Sequence, residues 1–140
     1  MPIYAYTARE TASGREIRNT VEAATEQAAI AALLNRNMLV VLNRELGSDF
    51  DPAAFAHRAF YVEEPGRIEM HLVARTEQRV HIPSLGTVTL RPGETIRTEI
   101  SNKYTYARLA RILSEAGLNI AVWETDDAGG YALLLAQRRD

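Results

Sequence analysis

Glu99 and Ser101 are the residues whose types and spacing best suit chemistry. They close the alternating run Gly93-Glu94-Thr95-Ile96-Arg97-Thr98-Glu99-Ile100-Ser101. Residues two apart on a strand point to the same face. A carboxylate beside a hydroxyl on one face can grip a nitrogen ring or an amine. The same alternation sets Ile96, Thr98 and Ile100 on the opposite face. A competing reading uses the same pattern: Arg97, Glu99 and Ser101 form the solvated side of a half-buried strand.

Other chemistry finds less support. The histidines are His57, His71 and His81. If Thr76-Glu77 is a two-residue hairpin turn, Arg75 pairs with Gln78, His71 with Ile82 and His81 with Leu72. The two strand histidines then point to opposite faces, so a shared metal is not expected. The serines Ser13, Ser48, Ser84, Ser101 and Ser114 lie outside any Gly-x-Ser-x-Gly elbow. Glu63-Glu64 and Asp126-Asp127 are carboxylate pairs in polar turns, which solvation explains. The eight glycines are scattered apart from Gly129-Gly130. No strand leads through a glycine-rich turn into a helix, so no phosphate or dinucleotide cradle is expected and no cofactor is assigned.

These residues must be positioned by the elements around them. Ile3 to Ala8 and Arg15 to Ala23 read as strands of a β-hairpin about a Thr11-Ala12-Ser13-Gly14 turn. Thr25 can cap a helix, with Glu26 in its first turn. Ile30, Leu33, Leu34, Met38 and Val41 follow helical spacing. This helix either stops at a left-handed Asn37, leaving Met38 to Leu42 as a strand, or runs to Leu46 with Gly47 as its stop. The longer helix is favoured. Ser48 to Pro65 reads as irregular, with a helical turn from Pro52 to His57 capped by Asp51. Strands follow at Arg67 to Ala74, Arg79 to Leu85, Thr87 to Leu90 and Glu94 to Ser101. A helix spans Thr105 to Ala116, with Leu109, Ile112, Leu113 and Ala116 on one side and Gly117 past its end. Strands at Asn119 to Glu124 and Tyr131 to Ala136 complete the chain. The expected fold is α+β: one domain over residues 1–140, a largely antiparallel sheet with two main helices on one side.

Composition narrows the function classes. The chain has 140 residues, 46% of them hydrophobic, and a net charge of −2. Scattered basic residues argue against nucleic acid as a partner. Stacking of bases on the aromatic residues is not expected without basic stripes beside them. No cysteine is present, which removes thiolate catalysis and disulfides. No apolar run approaches the length of a membrane span. No secretion signal is visible, so a cytoplasmic location is expected. Exposed sheet edges could pair two copies as a homodimer.

Two resemblances add to this reading. The first rests on Asn35-Arg36-Asn37-Met38-Leu39, Asn43-Arg44-Glu45-Leu46-Gly47, Asp49-Phe50-Asp51, Phe55, His57, Ala59 and Tyr61. It continues through Ile68-Glu69-Met70-His71-Leu72, Gln78, Gly93-Glu94-Thr95-Ile96, Thr98-Glu99-Ile100-Ser101, Lys103-Tyr104, Ala116-Gly117 and Trp123. Roughly residues 30 to 140 thus resemble the C-terminal part of the histidine-specific Nα-methyltransferases of ergothioneine biosynthesis. The resemblance implies a substrate-binding lobe over residues 67–140, whose last strands complete the methyltransferase sheet. It implies that Glu99 and Ser101 hydrogen-bond the imidazole of a histidine substrate, or of another imidazole compound, and that Met70 packs on the ring. The family's S-adenosylmethionine-binding half, with its glycine-rich turn and ribose-binding acid, is not matched. Methyl transfer needs donor and acceptor aligned and close, so catalysis by these residues alone is not expected.

The second covers residues 1–42. Met1-Pro2-Ile3-Tyr4-Ala5-Tyr6-Thr7-Ala8, Gly14-Arg15, Thr20-Val21-Glu22-Ala23, Glu26-Gln27-Ala28 and Leu33-Leu34 resemble the start of type II secretion and type IV pilus platform proteins. The two resemblances meet inside the first helix, as in a chimera or a generated sequence. The alternative function is a structural or protein-interaction domain, chimeric or designed, without a ligand.

Overall fold

The computed structural model describes residues 1–9 and 14–139. Thr11, Ala12 and Ser13 of the expected first turn lie outside the described residues. The chain divides into two compact units, Met1–Ser101 and Asn102–Asp140.

The first unit opens with strands β1 (Ile3–Arg9) and β2 (Glu16–Glu22), paired antiparallel from Ile3↔Glu22 to Arg9↔Glu16. Helix α1 follows over Glu26–Leu46. Its start is set locally: the Thr25 hydroxyl accepts from the Ala28 amide at 3.1 Å, satisfying one orphan donor. Its end is equally local. Gly47 takes the left-handed φ of 65°, which a residue with a Cβ adopts at a cost. The longer of the two expected helices is therefore the one formed. Asn43 ties the helix end to the next segment, donating to the Phe50 carbonyl at 2.7 Å and accepting from the Phe50 amide at 2.9 Å. Asp51 caps a 3-10 turn at Pro52–Ala54, accepting from the Ala53 amide.

Five strands complete this unit: β3 (Phe55–Val62), β4 (Arg67–Ala74), β5 (Gln78–Ile82), β6 (Gly86–Leu90) and β7 (Thr95–Asn102). The class is α+β with antiparallel pairing, as expected, but the strands form separate small sheets. The largest has the order β3-β4-β7. Strand β3 pairs antiparallel with β4 from Phe55↔Ala74 to Val62↔Arg67. Contacts between β4 and β7 run in opposite senses, from Ala74 with Glu94 to Met70 with Thr98, an antiparallel progression. Strands β5 and β6 form their own hairpin.

Two expectations are corrected here. Residues 55–62 form a strand where an irregular segment was expected, because Ala56 and Ala59 interrupt the alternation that marks a half-buried strand. The β4-β5 hairpin about Thr76-Glu77 does not form. The Ala74 amide donates to Glu94 and its carbonyl accepts from Gly93, so β4 is committed to β7 before the chain turns. β3 takes its other edge.

The principal core joins α1 to this sheet. Leu39, Phe50, Phe55, Leu72, Ala74, Val80 and Ile82 are buried together, with Leu42 and Ile96 packed against them. A second cluster sets Val21, Ala23, Ala29 and Ala32 together beside Tyr4 and Tyr6. The buried face of α1 is thus Ala29, Ala32, Asn35 and Leu39. Ile30 and Leu34, expected on the core side, stand 50% and 67% exposed. Small alanines let the helix approach the neighbouring strands closely, and that contact selects the face.

The second unit holds α2 (Tyr106–Glu115), capped by Thr105, followed by β8 (Leu118–Thr125) and β9 (Ala132–Arg138). The two strands pair antiparallel. Tyr106 meets Trp123 edge to face, with ring centroids 5.2 Å apart. Among the described residues of this unit none is fully buried.

Candidate functional site

Strand β7 carries Glu99 and Ser101, and its neighbour β4 carries Met70. Along β7, Ile96 and Thr98 are half-buried while Arg97 and Glu99 are exposed. The alternation then shifts: Ile100 is exposed and Ser101 half-buried. The Glu99 carboxylate is near enough to the His57 ring to favour its charged form.

Met70 is seated between helix and strand. The Asn35 amide donates to its sulfur at 3.2 Å and to the Ala31 carbonyl at 2.9 Å. The Thr98 hydroxyl contacts both the Asn35 side-chain carbonyl and the Met70 carbonyl. Met70 and Thr98 thus share a contact with the buried Asn35 of α1.

A polar network that sequence reasoning did not assemble lies on Arg67, Glu69 and His71, which alternate along β4. Glu69 is buried. One of its oxygens accepts from Arg67 Nε at 2.7 Å and from Arg97 at 3.4 Å. The other meets His71 Nε2 at 2.9 Å. His71 Nδ1 lies 3.1 Å from the Thr95 hydroxyl, and its ring stacks on Phe60 at 5.2 Å. The hydrogen bond from His71, then that from Arg67, hold the Glu69 carboxyl below its ordinary pKa. The signal was available in the sequence: the same two-apart rule that links Glu99 to Ser101 links Glu69 to His71.

The histidines do not converge. His57 opposes Leu72 and His71 opposes Arg58, so successive positions send the two rings to opposite faces. The His81 amide donates to Asp49 at 2.6 Å. Among the described residues no group of three His, Asp or Glu could hold a metal ion. None of the described glycines with positive φ stands at a helix start. Helices α1 and α2 open on Thr25 and Thr105 without a glycine-rich turn.

The comparison with known proteins is specific. Residues 14–138 match the family model described as histidine-specific methyltransferase, SAM-dependent, and the chain belongs to that family. It is 44% identical over 119 residues to the histidine N-alpha-methyltransferase of Mycolicibacterium smegmatis, covering 84% of this chain and 37% of that protein. It is 39% identical over 125 residues to the enzyme of the same name from Mycobacterium tuberculosis, covering 89% of this chain and 39% of that protein. The chain thus spans less than two fifths of the length of these curated relatives. The family match begins earlier than the residues that first carried the resemblance, taking in β2. No helix among the described residues is long and apolar enough to cross a membrane.

Proposed function

We propose that this chain is the acceptor-binding lobe of a histidine methyltransferase and does not transfer a methyl group by itself. Glu99 accepts a hydrogen bond from the imidazole of histidine, Ser101 completes the grip, and Met70 packs on the ring. The observation that supports this most directly is the family match over residues 14–138, together with Glu99, Ser101 and Met70 on neighbouring strands of one sheet. Affinity is weak, because a single wall leaves the amino and carboxylate groups of the substrate without partners on the other side.

Titration with histidine, followed by NMR of the β7 amides, tests the reading. Saturable shifts at Glu99 and Ser101 in the millimolar range support it. No shift up to about 50 mM, where a binding free energy of only a few kcal/mol would register, removes it. Methyl transfer from S-adenosylmethionine to histidine by the purified chain would overturn the non-catalytic part.

A structural or interaction domain without a ligand is the second reading. It is favoured by the apolar face of β8 and β9, where Leu133 and Leu135 are 73% and 60% exposed. Such a face invites pairing between copies. Light scattering after size exclusion tests it: a clean monomer at high concentration counts against the homodimer.

A further inference from the structure

Between the first hairpin, α1 and β3 lies a cleft of about 860 Å³, within the usual size range of small-ligand sites. Its walls are methyl-rich, with Ala28, Ala31 and Ala32 from α1 and Ala56 and Ala59 from β3. Into this lining come Arg36 from α1, Arg58 and His57 from β3, and Arg75 from just past β4. Two of their nitrogens, Arg36 Nε and His57 Nε2, are buried without a hydrogen-bond partner. Buried polar atoms are almost always paired, so both are anomalies in one cleft. Among the described residues neither Arg36 nor Arg75 forms an ion pair. The lining carboxylate, Glu22, is bonded to the terminal amine at 3.3 Å.

We propose that this cleft binds an organic oxyanion with an apolar body, foremost a carboxylate, through Arg36, Arg75 and His57. The fork of a guanidinium matches a carboxylate, a bound anion offsets the repulsion between the Arg36 and Arg75 guanidiniums, and the alanine walls receive the carbon skeleton. His57 Nε2 donates the third hydrogen bond once its ring is protonated. Burial and the Arg36 charge hold that ring below its ordinary pKa, and a bound anion reverses the second of these causes. The charged and titratable groups around it are Arg36 of α1, Arg58 of β3, Arg75, Glu22 of β2 with the Met1 amine, Tyr6 of β1 and Glu99 of β7. The proposal stands independently of histidine recognition, since its residues are other than Glu99, Ser101 and Met70.

The test is NMR of the intact chain, reading the Arg36 Nε–H and the His57 ring. Benzoate is the main probe, benzamide its uncharged isostere and inorganic phosphate the bare anion. Saturable shifts with benzoate, a raised His57 titration midpoint and no response to benzamide are expected. Arg36→Gln weakens benzoate binding roughly tenfold or more, as loss of a charge-assisted pair does. Arg75→Gln gives a second variant if the first fails to fold, and Arg97→Gln, outside the cleft, leaves binding unchanged. Phosphate as effective as benzoate keeps the anion site and overturns the apolar-body assignment. No response to benzoate or phosphate up to about 50 mM, or an undiminished response in both Arg36→Gln and Arg75→Gln, overturns the site. Imidazole, which has no carboxylate, reports on Glu99 and Ser101 alone, so the failure of either site is told from that of the other.

Discussion

The Asn35 amide donates to the sulfur of Met70 at 3.2 Å, across the junction of α1 and β4. A buried polar residue mid-helix is costly unless every group is engaged. Here the Asn35 carbonyl takes the Thr98 hydroxyl and its amide is shared between Met70 and the Ala31 carbonyl. Asn35→Ala leaves the Thr98 hydroxyl and the Met70 sulfur without this partner. A loss of about 1–3 kcal/mol in unfolding free energy is expected, measured by urea titration. A change below roughly 0.5 kcal/mol, the range of ordinary surface substitutions, would show that the junction contributes little.

Leu39 is fully buried on the same helix face, while Leu34 is 67% exposed. Leu39→Ala is expected to cost about 2–5 kcal/mol by cavity formation. Leu34→Ala stays within about 0.5 kcal/mol. A larger cost at Leu34 than at Leu39 would mean that the helix buries the other stripe.

Gly47 ends α1 at a φ of 65°. Gly47→Ala places a Cβ in left-handed backbone and is expected to lower stability by about 1–2 kcal/mol. Calorimetry would read this as a lower Tm. An unchanged Tm would be incompatible with the left-handed cap.

Acid weakens the fold in two stages. The His57 ring titrates below its ordinary range, because of burial first and the Arg36 charge second. The Glu69 carboxyl also titrates below its own, because of hydrogen bonds from His71 and then Arg67. In each case the unfolded chain binds the proton more readily than the folded one. Stability is therefore full above the unfolded pKa and is lost as pH falls through the folded value. The His57 share is lost first, below the ordinary imidazole range, and the Glu69 share below the ordinary carboxylate range. Glu69→Gln is expected to flatten the lower limb of a stability–pH curve and leave the upper limb in place.

Glu99→Gln keeps the shape of an exposed side chain and removes its charge. Stability should change by less than about 0.5 kcal/mol. Histidine affinity should fall roughly tenfold or more, as expected when a charged hydrogen bond is lost. Undiminished binding would dismiss Glu99 as the imidazole acceptor.

Much of the local structure was legible along the chain. Thr25, Gly47, Asp51 and Thr105 mark element ends through their own backbone bonds and φ angles, which neighbours within a few residues set. Strands β4 and β6 to β9 follow from alternation and turn residues, to within a residue or two at their ends. The partner of β4 was not legible, nor was the face that α1 turns inward. Both depend on contacts between residues such as Asn35 and Met70, 35 positions apart. The Arg36–His57 cleft has the same origin: neither residue is unusual in sequence, and only folding buries a nitrogen of each in one cleft without a hydrogen-bond partner. Local hydrogen bonding and sterics act over a turn or two of chain, so a linear text can report them. Pairing and burial are settled by competition among distant segments for the same edges and faces, which no stretch of the text contains.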